Sequence, residues 1–254
     1  MRELVKDKLK VRIYETRPLM GAAAADVISK QISALLESRE YINIVFAAAP
    51  SQNEFLAELK EKKVDWSRIN AFHMDEYVGL DGDAQQGFGN FLKEKIFGWV
   101  AFREVFYMNG NAADMEAECE RYAELMRRYP TDIIFLGIGE NTHIAFNDPH
   151  VADFNDPKIV KIVDLDQKNR MQQVDPSDKT CFNNLSEVPT HAITLTVPTL
   201  FKAKYAYAIA PGPKKADAIF YTLNSDVQEK YPSTILRTHN SAELYTDEAG
   251  GSRL

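Results

Sequence analysis

Short β-rich runs alternate with longer helical patterns along almost the whole chain, and this alternation restricts the fold more than any other feature. The runs are Val11 to Tyr14, Ile42 to Ala47, Asn70 to His73, Val105 to Tyr107, Ile133 to Gly137, His191 to Thr196 and Tyr205 to Ala210. Between them lie helical stretches at Pro18 to Glu40, Glu54 to Lys62, Gly87 to Phe97, Met115 to Arg128 and Pro213 to Leu223. A parallel neighbour is reached only by a crossover, so strands separated by helices predict βαβ units and an α/β fold with a largely parallel sheet. In the Met115 stretch, Cys119, Tyr122, Ala123 and Met126 recur at helical spacing, a stripe that faces a core. The 254 residues, 45% of them hydrophobic, are enough for one compact domain over 1–254. Within it, the segment 149–189 is rich in Asp, Asn, Pro and Ser and shows only fragments of regular pattern. A connection of that length is either a lid or an irregular surface excursion.

The charge balance narrows the partners. A net charge of -7 disfavours a nucleic-acid binder, which neutralises phosphates with clustered Lys and Arg. A small anionic substrate needs only local positive charge. Neither Cys119 nor Cys181 lies in a CxxC or Cys/His cluster, so the sequence supports no disulfide framework and no structural zinc. The apolar run Ile42 to Ala49 is too short to cross ~30 Å of hydrocarbon, and no targeting or membrane segment is visible. Reduced thiols and a cytoplasmic location are expected, and a homo-oligomer is compatible with the sequence.

Ligands of an open parallel sheet bind beyond the carboxyl ends of its strands, so the polar residues at strand exits carry the functional information. The first exit is His73-Met74-Asp75-Glu76-Tyr77. Neighbouring side chains of extended backbone point to opposite faces, so one of the two acids can meet a ligand while the other makes structural contacts. A partly desolvated carboxylate there suits proton abstraction from carbon; a solvated acidic turn is the plain alternative. The second exit is Gly137-Ile138-Gly139-Glu140-Asn141-Thr142-His143, continuing to Asp148 and Pro149. Its glycines permit close backbone approach, and it is only half of a dinucleotide fingerprint. His143 can exchange protons near neutral pH, with Asp148 near enough in sequence to orient it. His150 adds no ligand set with metal-site spacing, so no metal is expected. The third group is dispersed: Arg170, Lys214 and Lys215 before a helix, and Ala49-Pro50-Ser51-Gln52 at another helix start. Helix N-termini with a nearby cation or hydroxyl hold phosphate, and ordinary capping or solvated lysine is the alternative.

Together these segments resemble the glucosamine-6-phosphate deaminase family, also called the glucosamine-6-phosphate isomerases, with motifs F-N-M-D-E-Y-V-G-L and G-x-G-x-(N/D)-G-H-I-A-F-N-E-P. Here they read Phe72 to Leu80 and Gly137 to Pro149. Order and spacing also match at Asn109-Gly110-Asn111-Ala112, Asn169-Arg170, Val188-Pro189, Lys215-Ala216 and Asp247-Glu248-Ala249. The resemblance implies a doubly wound, Rossmann-like α/β fold. It also implies cofactor-free conversion of a 2-amino-2-deoxy-hexose 6-phosphate, of the glucosamine or galactosamine series, to the ketose 6-phosphate and ammonia. By the same resemblance, Asp75 is the base between sugar carbons 2 and 1. His143, oriented by Asp148 and Asn141, opens the ring. Ser51 with the amides around Ala49 and Gly139, Arg170 and Lys215 hold the phosphate.

The chain departs from the pattern in places. Ala49-Pro50-Ser51-Gln52 replaces a Gly-Ser/Thr-Thr-Pro loop, adding a Cβ and removing an N–H. Thr142 stands for Gly, Asp148 for Glu, and Val151 and Ala152 for hydroxyl residues of allosterically activated relatives, so no such activation is expected. Two other readings share the fold or the ligand: a 6-phosphogluconolactonase-type hydrolase, which the Met-Asp-Glu-Tyr motif disfavours, and a non-catalytic sugar-phosphate-binding regulator, which the joint presence of Asp75 and His143 disfavours.

Overall fold

The computed structural model describes residues 1–254. In chain order the strands are β1 (Arg2–Lys6), β2 (Leu9–Tyr14), β3 (Ile42–Phe46), β4 (Ile69–His73), β5 (Asp75–Tyr77), β6 (Glu104–Phe106), β7 (Ile133–Leu136), β8 (Val160–Asp164), β9 (His191–Leu195), β10 (Tyr205–Ile209) and β11 (Ala242–Asp247). The helices are α1 (Arg17–Ser38), α2 (Asn53–Lys60), α3 (Phe88–Leu92), α4 (Met115–Arg128), α5 (Gln167–Gln172), α6 (Val197–Phe201) and α7 (Ala216–Asn224).

Eight strands form the main sheet in the order β1-β2-β11-β10-β7-β3-β4-β6. Every pairing in it is parallel except the β1–β2 hairpin. From β3 the chain winds outward through β4 to β6, then returns to β7 and winds the other way through β10 to β11. The direction therefore reverses between β3 and β7, which pair through Ile44 with Ile133 and Val45 with Ile134. A crevice opens at the carboxyl ends of strands at such a reversal.

Both faces of the sheet are covered at its centre, so β3, β4 and β7 are buried along their whole length. Val45, Phe72, Ile134 and Ala208 turn to the face packed by Tyr122 of α4 and Ile219 of α7. Ile44, Phe46, Ala71 and Phe135 turn to the face packed by Ile28 of α1, Leu56 of α2 and Phe91 of α3. Helix α1 is long and apolar enough by length and composition to cross a membrane, yet it lies on the sheet with Met20, Ala24, Ile28 and Ile32 wholly buried. Thr16 caps it through Oγ1, which accepts the Leu19 N–H at 3.4 Å. Gly21 lets α1 meet α2 backbone to backbone: a Cβ there would lie 2.8 Å from the Glu54 carbonyl carbon.

Four strands escaped the sequence reading: β1, β5, β8 and β11. β1 is a mostly exposed edge with little alternation. β5 is three residues long and exists because its backbone pairs with β9. With β8 it makes a small antiparallel sheet, β5-β9-β8, beside the main one. The segment 149–189 consequently holds one strand, β8, and one helix, α5, where only fragments of pattern were expected. The helix expected over Gly87 to Phe97 is α3 followed by a wider π-type turn over Lys93–Phe97.

Candidate active site

The exits of β3, β4, β7 and β10 converge on one open cavity of about 460 Å³ at the reversal point, lined by Ala49, Ser51, Asp75, Gly139, His143 and Lys215 among others. Residues 166 positions apart or less in the chain, from Ala49 to Lys215, thus meet because their strands end side by side.

Asp75 reaches the cavity by strand alternation. In β5 it pairs with Thr194 of β9, and the next side chain, Glu76, points the other way. Glu76 is structural: its Oε1 accepts the N–H groups of Tyr77 at 2.9 Å and Phe88 at 3.0 Å, and its Oε2 that of Gly89 at 2.8 Å, which caps α3. His73 clamps the turn between them. Its Nδ1–H donates to the Asp75 carbonyl at 2.9 Å, and its Nε2 accepts the Met108 N–H at 2.9 Å. That pair of bonds requires a neutral ring, and burial lowers the His73 pKa accordingly. The Asp75 carboxyl itself makes no hydrogen bond within the protein. Burial, reinforced by the charge of Glu76, raises its pKa well above the ordinary carboxylate value.

His143 stands on the turn after β7. Its Nδ1 lies 2.6 Å from Asn141 Oδ1 and 3.1 Å from Asp148 Oδ1, and both are acceptors, so Nδ1 carries the hydrogen and Nε2 is the exchanging nitrogen. Asn141 Oδ1 also accepts the His143 backbone N–H at 3.1 Å. Burial alone would raise the Asp148 pKa, but the imidazole and the amides of Asn141 and Asn169 outweigh it and hold it at about 2.

Gly139 takes a different role from the phosphate contact inferred from its sequence. A Cβ at Gly139 would lie 2.2 Å from the His143 ring, so the imidazole rests directly on this backbone. The Gly139 N–H is already given to the His143 carbonyl at 2.9 Å and is not free for an anion. Thr142, where the resembling motif has Gly, takes φ 71°, a left-handed conformation costly for a β-branched residue, and its buried hydroxyl has no partner.

The same cavity is lined by Ala49, Ser51 and Lys215. The Ala49 and Ser51 N–H groups make no bond within the chain, and Pro50 has none to offer. Gln52, fully buried, braces the loop: its Nε2 donates to Ser51 Oγ at 3.1 Å and to the Ile209 carbonyl at 3.1 Å. Lys215 is half-buried on the turn ahead of α7, and burial lowers its pKa to about 8.

Arg170 does not join this group. Its guanidinium donates to the carbonyls of Leu185 at 2.9 Å and Val188 at 2.7 Å, tying the segment 149–189 to itself. The cavity wall there comes from Gln172 and Gln173 at the end of α5, and Arg17 lines an adjoining pocket that shares Ser51 and Lys215 with the cavity. Sequence reading missed all three. α5 was not recognised as a helix, and Arg17 sits at the start of α1, far from any motif.

Asp148, His150 and Asp166 bring ligand-type atoms within 4.8 Å of one another. Those atoms are engaged within the protein: His150 Nε2 pairs with Asp164 Oδ2 at 2.8 Å, and Asp148 Oδ1 accepts from His143 and Asn141.

Comparison with known proteins identifies the family of this chain. The profile of the family described as glucosamine-6-phosphate isomerases/6-phosphogluconolactonase matches residues 15–245. The glucosamine-6-phosphate deaminase of Bacillus cereus strain G9842 is 34% identical over 224 residues, which span 88% of this chain and 82% of that protein. A solved structure of a monomeric glucosamine-6-phosphate deaminase superposes with a TM-score of 0.86 at 25% identity, covering 96% of this chain and 99% of that one. A 6-phosphogluconolactonase from Thermotoga maritima superposes with a TM-score of 0.75 at 21% identity, covering 94% and 100%, a likeness of fold.

Proposed function

This chain belongs to the family of glucosamine-6-phosphate isomerases and 6-phosphogluconolactonases, and we propose that within it the protein is an amino-sugar-phosphate isomerase and deaminase. Its substrate is a 2-amino-2-deoxy-hexose 6-phosphate, and its products are the ketose 6-phosphate and ammonia. One observation carries this reading: the Asp75 carboxyl and the His143 imidazole line the same cavity as Ser51 and Lys215.

The phosphate lies against Ser51, the free amides of Ala49 and Ser51, and the Lys215 ammonium. Holding the far end of the sugar orients carbons 1 and 2 toward the catalytic groups. His143 Nε2 takes the proton of the carbon-1 hydroxyl and hands it to the ring oxygen, so that the ring opens to the aldehyde while Nδ1–H stays bonded to Asn141 and Asp148. The open-chain aldose then loses its carbon-2 proton to Asp75, which returns it to carbon 1. The resulting carbon-2 imine takes up water and releases ammonia. A base for carbon needs a pKa raised toward working pH, which agrees with the environment of Asp75. Hydrolysis of a lactone needs no carbon base, so Asp75 favours deamination over the lactonase activity of the other family branch.

The segment 149–189 serves as a lid, with Gln172 and Gln173 over the cavity and Arg170 as its internal brace. Charged sugar phosphates are retained inside cells, so the cytoplasm is the place of action. Incubation with glucosamine 6-phosphate and with galactosamine 6-phosphate, following ammonia and ketose phosphate, tests the reading and separates the epimers. Neither product from either sugar would reject it.

A further inference from the structure

The bonds that orient His143 continue beyond Asn141 and Asp148 into α5. Asp148 is completely buried, and a buried carboxylate must find donors for both oxygens. Besides His143, its Oδ1 accepts from Asn141 Nδ2 at 2.9 Å and from Asn169 Nδ2 at 2.9 Å. Its Oδ2 accepts from the same Asn169 amide at 3.0 Å and from the Asp166 backbone N–H at 3.1 Å. Asn141 Nδ2 has two hydrogens, and the second goes to Asp166 Oδ2 at 2.7 Å. Acids and amides therefore alternate, Asp166 to Asn141 to Asp148 to Asn169, with no donor facing a donor.

Two members of this set belong to the first turn of α5. Asp166 is the helix N-cap, its Oδ1 accepting the Asn169 N–H at 2.6 Å, and Asn169 is buried in that same first turn. The same helix carries Gln172, whose Oε1 accepts the Glu140 N–H at 2.7 Å. Asp166 holds the Asn141 amide with its oxygen toward His143, and Asn169 holds the Asp148 carboxylate, which is one methylene shorter than the glutamate of the resembling motif. Each thereby fixes one of the two acceptors that keep the hydrogen on His143 Nδ1 and leave Nε2 for the substrate.

We propose that Asp166 and Asn169 are positioning residues for His143, so that the imidazole is correctly held only when α5 is seated on Asp148. The proposal rests on the reading of His143 as the ring-opening group. Neither residue lines the cavity, so neither contacts substrate. Loss of such outer partners typically lowers activity by roughly 10- to 100-fold.

The experiment uses the full chain with Asn169→Ala and, as a second variant that keeps a good helix cap, Asp166→Asn. Steady-state kinetics with glucosamine 6-phosphate and histidine side-chain ¹⁵N NMR are recorded for each and for the wild type. The expected result is a fall in kcat of roughly 10- to 100-fold with KM changed by less than about threefold, together with loss of the His143 Nδ1–H tautomer signal. A merely structural residue would lower the melting temperature and leave the tautomer alone. Unchanged kcat, an unchanged tautomer, or a rise in KM as large as the fall in kcat would each overturn the proposal. A wild type that releases no ammonia from either amino sugar would instead reject the proposed reaction, and the NMR comparison still decides whether α5 orients His143. If one variant does not fold, the other carries both readouts.

Discussion

Asp75 lines the cavity and Asp148 lies behind His143, and both are buried, 5% and 0% exposed, yet their ionisation shifts in opposite directions. Asp75 has no hydrogen-bond donor and a neighbouring negative charge, so its pKa rises well above the ordinary value. Asp148 is surrounded by an imidazole and amide donors, and it is held at about 2. Burial sets the cost of a charge, and the partners decide whether the charge is kept. The first arrangement suits a group that takes and returns a proton; the second suits a fixed charge that orients another group.

Exchanging acid for amide at the two positions tests this contrast most sharply. Asp75→Asn should lower kcat by at least ~10³-fold with phosphosugar binding nearly intact, because it removes the proton acceptor itself. Calorimetric titration of a non-reacting sugar phosphate checks the binding arm, and undiminished turnover would show that the base is another residue. Asp148→Asn should cost less, on the order of 10²-fold in kcat, since Nδ1–H still finds an acceptor. Equal losses at the two positions would erase the distinction.

The pH profile separates them again. Asp75 must be ionised to act, so kcat/KM should fall as pH drops through its raised pKa, at a higher pH than an ordinary carboxylate would give. Asp148 remains charged throughout that range. On the alkaline side Lys215, lowered to about 8 by burial, loses its charge as pH rises, so KM for the phosphosugar should climb above that point. Lys215→Gln should abolish this alkaline rise, and its persistence would assign the effect to another group.

The smallest effect concerns the backbone that presents each residue. Asp75 lies in ordinary paired strand, whereas His143 follows Thr142 at φ 71° with an unpaired buried hydroxyl. Thr142→Gly should raise stability by about 1 kcal/mol, equivalent to a rise of about 2–4 °C in Tm. A lower Tm in a thermal melt would mean that the threonine side chain contributes more packing than its strain costs.

Much of this was legible in the residue order. Six strands of the main sheet, β9 of the small sheet and the span of α4 follow from periodicity, and the strand exits after β4 and β7 already displayed Asp75 and His143. Strand alternation alone showed that only one of Asp75 and Glu76 can meet a ligand, and the family resemblance assigned that role to Asp75. Less legible were β5 and β8, whose short runs become strands through pairing with β9, and the destination of Arg170. A long cation near a phosphate motif suggests an anion contact. Its partners, the carbonyls of Leu185 and Val188, become visible only once the chain has folded around it.

By itself, then, the amino-acid order determined most strands of the main sheet and its long helices, that the sheet is largely parallel, and which side chains stand at the ends of those strands, because these depend on local periodicity and on chemistry carried by single residues. Tertiary structure alone decided that Asp75 is unpartnered while Asp148 is enclosed, that Gly139 supports an imidazole, and that α5 reaches the histidine. Those outcomes depend on groups brought together from distant parts of the chain, and ionisation and orientation respond to distances of a few ångströms that no spacing along the sequence encodes.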